Sequence, residues 1–292
     1  MSIGLPILRP DTSDVGLTPP ASPDKAHRPG RLVDSHGRTI RDLRLSVTDR
    51  CNYRCVYCMD PDFRYMPKRD LLGLDEYLTI ARVCASLGIR KLRITGGEPT
   101  LYARLDELIA GVGAMGFDDV AMTTNGSLLE GMPLERWRRD GLDRLTLSLD
   151  SLRPERVAEI TRTSASPETV ITAIRLGKAA GFDPIKINAV VMRDYNDDEL
   201  ADFADFAREH AIDLRLIEFM PLDSSKAWTR ETVVTADEML AAIGRRHELV
   251  PVESPDPAST SLNFRFADGA PGRIGIIASV SRRSAARAAA CA

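Results

Sequence analysis

Three cysteines constrain this chain more than anything else in it. Between Cys51 and Cys58 it reads Cys-Asn-Tyr-Arg-Cys-Val-Tyr-Cys, a C-x3-C-x2-C spacing placed directly after a short alternating segment at 42–48. A loop so dense in thiols is suited to wrap one face of a cubane. A 4Fe-4S cluster has four irons, each ligated by one thiolate, so three clustered cysteines leave one iron open to a ligand other than protein. Structural zinc is the alternative, but closed zinc sites take four ligands, usually from paired short knuckles. No partner knuckle is present: the other cysteines are Cys84, inside a helical pattern, and Cys291, next to the end. A disulfide framework fits less well still, because three is odd and no secretory context is visible.

With 292 residues the chain can bury one large α/β core, with a small appendage. Lys and Arg total 39 against 42 Asp and Glu, a net charge of −3 that argues against a nucleic-acid binder held by bulk charge. Nothing approaches the roughly 18 consecutive apolar residues of a membrane span. The start lacks a basic segment followed by an apolar one, so no signal peptide is expected. Three reduced thiolates fit a cytoplasmic location.

Residues 1–36 are rich in Pro, Ser, Asp and Gly without periodicity and are expected to be a disordered tail. From Gly37 a strand, a turn and an amphipathic helix recur, the mark of βα units in a parallel sheet. Strands are expected near 42–48, 91–95, 119–125, 144–150, 185–192 and 213–220. Helices are expected near 74–87, 103–115, 133–140, 167–180, 198–210 and 235–246. Ser166 before Pro167 and Thr235 before Asp237 and Glu238 are start signals. Six such units are too few for a closed eight-unit barrel and predict an open (β/α)6 partial barrel over 37–250.

Strand residues alternate between faces, and the outer face of a βα barrel must be apolar to accept helices. Leu43, Leu45 and Val47, then Leu92 and Ile94, Leu145, Leu147 and Leu149, and Ile185, Ile187, Ala189 and Val191 take that face. What remains faces inward: Arg44, Ser46, Arg93, Thr95, Thr123, Asn125, Thr146, Ser148, Asp150, Lys186 and Asn188. Buried cations are costly unless paired. Arg44, Arg93 and Lys186 therefore point to an anionic ligand such as a triphosphate, the alternative being that they pair with Asp150 and Glu218 or snorkel to the rim. At the end of the second strand, Thr95-Gly-Gly-Glu-Pro99 combines glycines that allow close backbone approach with a carboxylate, Glu98, able to receive an ammonium group.

The cysteine loop, Arg93-Ile-Thr-Gly-Gly-Glu-Pro99, Thr123-Thr-Asn-Gly126, Ser148-Leu-Asp150, Lys186-Ile-Asn188 and Ile217-Glu-Phe-Met220 together resemble the GTP 3′,8-cyclases. These form the molybdenum cofactor biosynthesis protein A family of the radical S-adenosylmethionine (SAM) superfamily. The resemblance runs from about Gly37 to Ile277. It implies an open (β/α)6 barrel, a 4Fe-4S cluster on Cys51, Cys55 and Cys58, and SAM bound through its amino and carboxylate groups to the open iron. It implies Tyr57, Gly97, Glu98, Ser148 and Met220 around SAM, and Arg44, Arg93, Thr123 and Lys186 on GTP. The implied reaction cleaves SAM reductively to a 5′-deoxyadenosyl radical that takes hydrogen from C3′ of GTP, giving 3′,8-cyclo-7,8-dihydro-GTP. A homodimer is the assembly the family implies; the electron donor is not legible.

The end departs from the family, whose second cluster near the C-terminus is held by a C-x2-C pair and a further cysteine. Here residues 251–292 read as a remnant of that region, and after Gly275–Ser281 the chain runs Arg-Arg-Ser-Ala-Ala-Arg-Ala-Ala-Ala-Cys-Ala. A family-like Pro-Phe-Cys-Gly-Ala-Cys-Ser-Arg-Leu-Arg-Leu, written in GC-rich codons and read one base late, yields Arg283 to Ala292 and then a stop. The expectation is therefore a frameshifted, truncated cyclase sequence without the second cluster and impaired in activity. Two alternatives stay open: a non-catalytic remnant that binds a cluster and SAM, and a radical SAM enzyme with another substrate.

Overall fold

A computed structural model describes residues 32–35, 37–221, 228–253 and 260–281. Six parallel strands form in the expected places: β1 (Asp42–Ser46), β2 (Lys91–Thr95), β3 (Asp119–Thr124), β4 (Arg144–Ser148), β5 (Lys186–Val191) and β6 (Asp213–Glu218). The helices are α1 (Leu74–Ser86), α2 (Leu105–Gly113), α3 (Leu134–Arg139), α4 (Pro154–Thr161), α5 (Pro167–Ala179), α6 (Leu200–Glu209) and α7 (Ala236–Gly244). Neighbouring strands pair in sequence order from β1 to β6, so the sheet curls as an open partial barrel with the helices outside. No helix among the described residues is long and apolar enough to cross a membrane.

The alternation behaves as the sequence requires. Leu45, Val47, Leu92, Ile94, Leu145, Leu147, Ile187 and Ala189 are buried in the main core beneath the helices. Each large aliphatic side chain so buried contributes about 1.5–3 kcal/mol, which fixes the register, because a one-residue slip would put the whole set on the other face. Thr235 caps α7: its hydroxyl accepts from the Glu238 N–H while the Glu238 carboxylate accepts from the Thr235 N–H. Ser166 occupies the cap position of α5 without a capping hydrogen bond, and Pro167 starts that helix.

Two parts differ from the expectation of one helix per strand and six strands. The short α4 lies between β4 and α5 and buries Val157, Ile160 and Thr161. Beyond α7 the sheet continues through β7 (Leu249–Val252), β8 (Ser261–Phe266) and β9 (Arg273–Ile277). β9 runs parallel beside β6, and β8 and β7 follow antiparallel, giving nine strands in the order β1-β2-β3-β4-β5-β6-β9-β8-β7. Ile274 and Ile276 are fully buried, so this stretch is part of the main core. Of the expected disordered tail, residues 1–31 and 36 lie outside the described residues; Leu32 donates its N–H to the Leu87 carbonyl, and Val33 bridges Thr39. The Arg- and Ala-rich ending at 282–292 lies outside the described residues as well.

Candidate active site

The cysteine loop leaves the C-terminal end of β1 and is fastened on four sides. Towards β2, Gly97 N–H donates to the Thr48 carbonyl at 2.6 Å and Glu98 N–H to the Arg50 carbonyl at 2.7 Å. Towards α4, Arg54 and Val56 donate their N–H groups to the Thr161 and Ile160 carbonyls, both at 2.9 Å. Tyr57 donates its hydroxyl to Asp150 Oδ2 at 2.8 Å, beyond the end of β4. Asn52 accepts from the Asn125 amide at 2.9 Å and donates to Ser127 Oγ at 2.8 Å, beyond the end of β3. Within the loop, Cys58 N–H donates to the Cys55 carbonyl, and Tyr65 donates its hydroxyl to the Cys51 carbonyl while Arg50 and Arg54 stack over its ring.

These fastenings enclose a cavity of about 220 Å³ between the loop and the ends of β2, β3 and β4. Of the residues expected at the site, Cys51, Cys55, Tyr57, Cys58, Gly97, Glu98, Thr123 and Ser148 line it together. Burial pushes all three thiols above their ordinary range, and each also feels the negative charge of neighbouring acids or thiols. Such thiols stay protonated unless cationic iron displaces the proton, so they fit a cluster as ligands that are poor free nucleophiles. The Tyr53 N–H donates to Cys51 Sγ at 3.4 Å, the kind of contact that tunes a cluster sulfur. Asp150 is buried and its carboxyl is pushed up to about 6 by that burial, opposed by hydrogen bonds from Val190 N–H and Tyr57.

Gly97 is required by the approach of the two chain segments. A Cβ there would lie 2.2 Å from the Arg50 carbonyl oxygen, so the turn touches the lead-in to the cysteine loop itself. The Glu98 carboxylate is buried and accepts four hydrogen bonds: from Thr100 N–H, Thr100 Oγ1 and Thr124 Oγ1 on one oxygen, and from Asn125 N–H on the other. Thr123 Oγ1 is buried without a partner among the described residues, and so is Asn188 Oδ1, which belongs to the inward set. Orphaned polar atoms of this kind call for a ligand.

Arg44, Arg93 and Lys186 do not line that cavity; they sit lower on the inner face of the sheet. Arg44 lies opposite Arg93 in the β1–β2 register, and Lys186 lies opposite Thr146 across β4–β5. Burial, then repulsion from Arg144, Arg215 and Arg44, lowers the Arg93 pKa. Burial, then Arg144 and Arg215, brings Lys186 down to about 8. Arg144 is paired with Asp119 on β3. Arg44, Arg93, Lys186 and Arg215 have no ion-pair partner among the described residues. Asp213 and Asp119 offset this charge only in part, and the two carboxylates considered as partners are engaged elsewhere. Asp150 holds Tyr57 and Val190 N–H, and Glu218 accepts from the N–H groups of Ala236, Val280 and Ser281. Arg93, Lys186 and Arg215 are thus half-buried without the pairing to Asp150 or Glu218 weighed as the alternative, whereas Arg44, on the edge strand, is exposed, as the rim alternative has it.

Arg215 was absent from the expected set although its parity is readable, since Leu214 and Leu216 on either side are buried. Met220 is half-buried just past β6 and does not line the cavity. An apolar patch of Ile160, Met192, Phe219 and Trp228 backs Val56 and Tyr57 of the loop.

Comparison with known proteins bears on this arrangement directly. Residues 45–207 match the radical SAM superfamily model, and residues 212–284 match the model for Molybdenum Cofactor Synthesis C. The GTP 3′,8-cyclase of Acidothermus cellulolyticus is 41% identical over 259 residues, covering 86% of this chain and 70% of that protein. That of Marinobacter nauticus is 43% identical over 239 residues, covering 82% and 72%. Among solved structures, Streptococcus suis SuiB aligns with a TM-score of 0.58 at 19% identity, over 72% of this chain and 47% of SuiB, which shows a shared fold. The thiol loop, its partner turn and the inward cations therefore stand in a chain that belongs to the radical SAM superfamily and, within it, to the GTP 3′,8-cyclase family.

Proposed function

We propose that this chain binds a 4Fe-4S cluster on Cys51, Cys55 and Cys58, binds SAM in the adjoining cavity, and acts on GTP as a 3′,8-cyclase. The observation that carries the reading is the unpaired row of Arg44, Arg93, Lys186 and Arg215 on the same inner face as the thiol-lined cavity. When bound, the reduced cluster supplies one electron to SAM, and SAM supplies the group that takes hydrogen from the nucleotide. The protein's own contribution is placement. Gly97 lets the turn after β2 close on the loop, and Tyr57 ties the loop to Asp150. Ser148 and Thr123 offer hydroxyls towards the cavity, and Met220, just past β6 and outside the cavity lining, is assigned to SAM by the family resemblance alone.

The cations act on the other substrate. A triphosphate offers several charges at once, and guanidinium forks match phosphate oxygens in pairs. Holding the phosphates low in the barrel directs the ribose and base up towards the cavity, and such orientation can supply about 7–11 kcal/mol of a barrier. The barrel of 37–250 does this work in our reading, and the strands past 250 extend its sheet beside β6. Thiols kept reduced suit a cytoplasmic enzyme.

Isothermal titration of the anaerobically reconstituted chain with GTP, GDP and guanosine tests the reading. Affinity should fall in that order, and equal binding of GTP and guanosine would remove its basis.

A further inference from the structure

Asn52 sits between Cys51 and Tyr53, does not line the cavity, and nevertheless has both ends of its amide engaged across the chain. Its Oδ1 accepts from Asn125 Nδ2 at 2.9 Å, and its Nδ2 donates to Ser127 Oγ at 2.8 Å. Asn125 is 8% exposed and uses its own amide in two directions, since its Oδ1 accepts from Ser127 N–H at 2.9 Å. Its backbone N–H in turn donates to Glu98 Oε2 at 2.7 Å, and Thr124 beside it donates to Glu98 Oε1 at 2.6 Å. One continuous set of hydrogen bonds therefore runs from the cysteine loop, through the turn after β3, to the turn after β2.

We propose that Asn52 and Asn125 are positioning residues which, anchored on Glu98, hold Cys51 in register with the Gly96–Gly97 turn. The cluster's open iron and the turn then meet the methionine end of SAM together. The proposal rests on the reading that cluster and SAM bind here, and it adds to the part Glu98 plays. A carboxylate has about four lone-pair sites. Three donors of the protein crowd Oε1 and one engages Oε2, so Glu98 fixes the backbone of two turns and keeps one lone pair on Oε2 for a ligand of the cavity it lines. An isosteric Asp at 125 lacks the donor that Asn52 needs, whereas Asp at 52 keeps the acceptor that Asn125 needs.

The test uses the full chain, reconstituted anaerobically with iron and sulfide, as wild type, Asn52→Ala, Asn52→Asp, Asn125→Ala and Asn125→Asp. Iron content, the electron paramagnetic resonance of the reduced cluster with and without SAM, and the SAM dissociation constant are measured. All variants should carry about four irons per chain. Asn52→Ala, Asn125→Ala and Asn125→Asp should bind SAM roughly 5- to 10-fold more weakly, the scale of one lost hydrogen bond. Their SAM-induced spectral change should shrink, and Asn52→Asp should recover most of it. If Asn125→Ala does not fold, Asn52→Ala, on the exposed side of the loop, decides the matter. Unchanged SAM affinity and spectra in Asn52→Ala would overturn the proposal, as would loss of iron in that variant, which would assign the amide to cluster retention. A wild-type chain that holds its cluster but shows no SAM-induced change would overturn the site reading first and this proposal with it.

Discussion

Replacing Glu98 by Gln should destabilise the protein before any cofactor is added. The carboxylate is 1% exposed and meets four donors and no acceptor. A glutamine amide has one oxygen. Placed on the side of Thr100 and Thr124, that oxygen keeps three bonds, and the NH2 group then faces the Asn125 N–H, donor against donor. The opposite orientation keeps one bond and leaves three donors unpaired. The milder case removes one charge-assisted hydrogen bond and strands a buried N–H, a loss of about 2–4 kcal/mol. For a chain of this size that lowers the melting temperature by about 5 °C or more. The assay is thermal unfolding of cluster-free protein under reducing conditions, followed by circular dichroism. If Glu98 served only the SAM ammonium, the substitution would leave the cluster-free melt alone and act on SAM binding. A Glu98→Gln midpoint equal to wild type would refute the strut.

Three further outcomes follow from the same geometry. Arg93→Ala should weaken GTP binding roughly 10- to 100-fold, the worth of a hydrogen bond to a charged group, while SAM affinity stays within about twofold. Lys186 carries its proton below about 8 and is neutral above it, and a triphosphate favours the ammonium form. GTP affinity should therefore fall as pH rises from 7 to 9, with proton uptake on binding near pH 8.5 by calorimetry; a Lys186→Ala protein should show a flatter profile, and equal profiles would remove the assignment. Gly97→Val puts side-chain atoms where the Arg50 carbonyl already lies, so the variant should lose iron as well as SAM affinity. Normal iron content with impaired SAM binding would place the clash on the ligand side of the turn instead.

The parts of the fold legible in sequence were those with local period. Strands such as Lys186–Val191 alternate strictly between buried and inward residues, so both their positions and the cationic face could be read. The helix Pro154–Thr161 could not, because eight residues with three buried positions look like any polar connection after a strand. The strand Ser261–Phe266 carries readable alternation, but nothing local says that it and Arg273–Ile277 join the barrel's sheet. The thiol loop announced itself by spacing alone. What stayed hidden depends on chain segments far apart. Two of Glu98's four bonds come from 26 and 27 residues away, beside two from nearby Thr100, and Asn52 finds Asn125 across 73.

In the proposed function a SAM-cleaving cluster and a triphosphate-binding row work on one nucleotide in one barrel. This is tested most directly by measuring 5′-deoxyadenosine formation by the reconstituted chain under anaerobic reduction, with GTP, with guanosine and with neither. SAM cleavage should be abolished by Cys55→Ala, accelerated by GTP, and left at its basal rate by guanosine. Cleavage indifferent to GTP, or a chain that holds its cluster and SAM yet forms no 5′-deoxyadenosine, would contradict the proposed function.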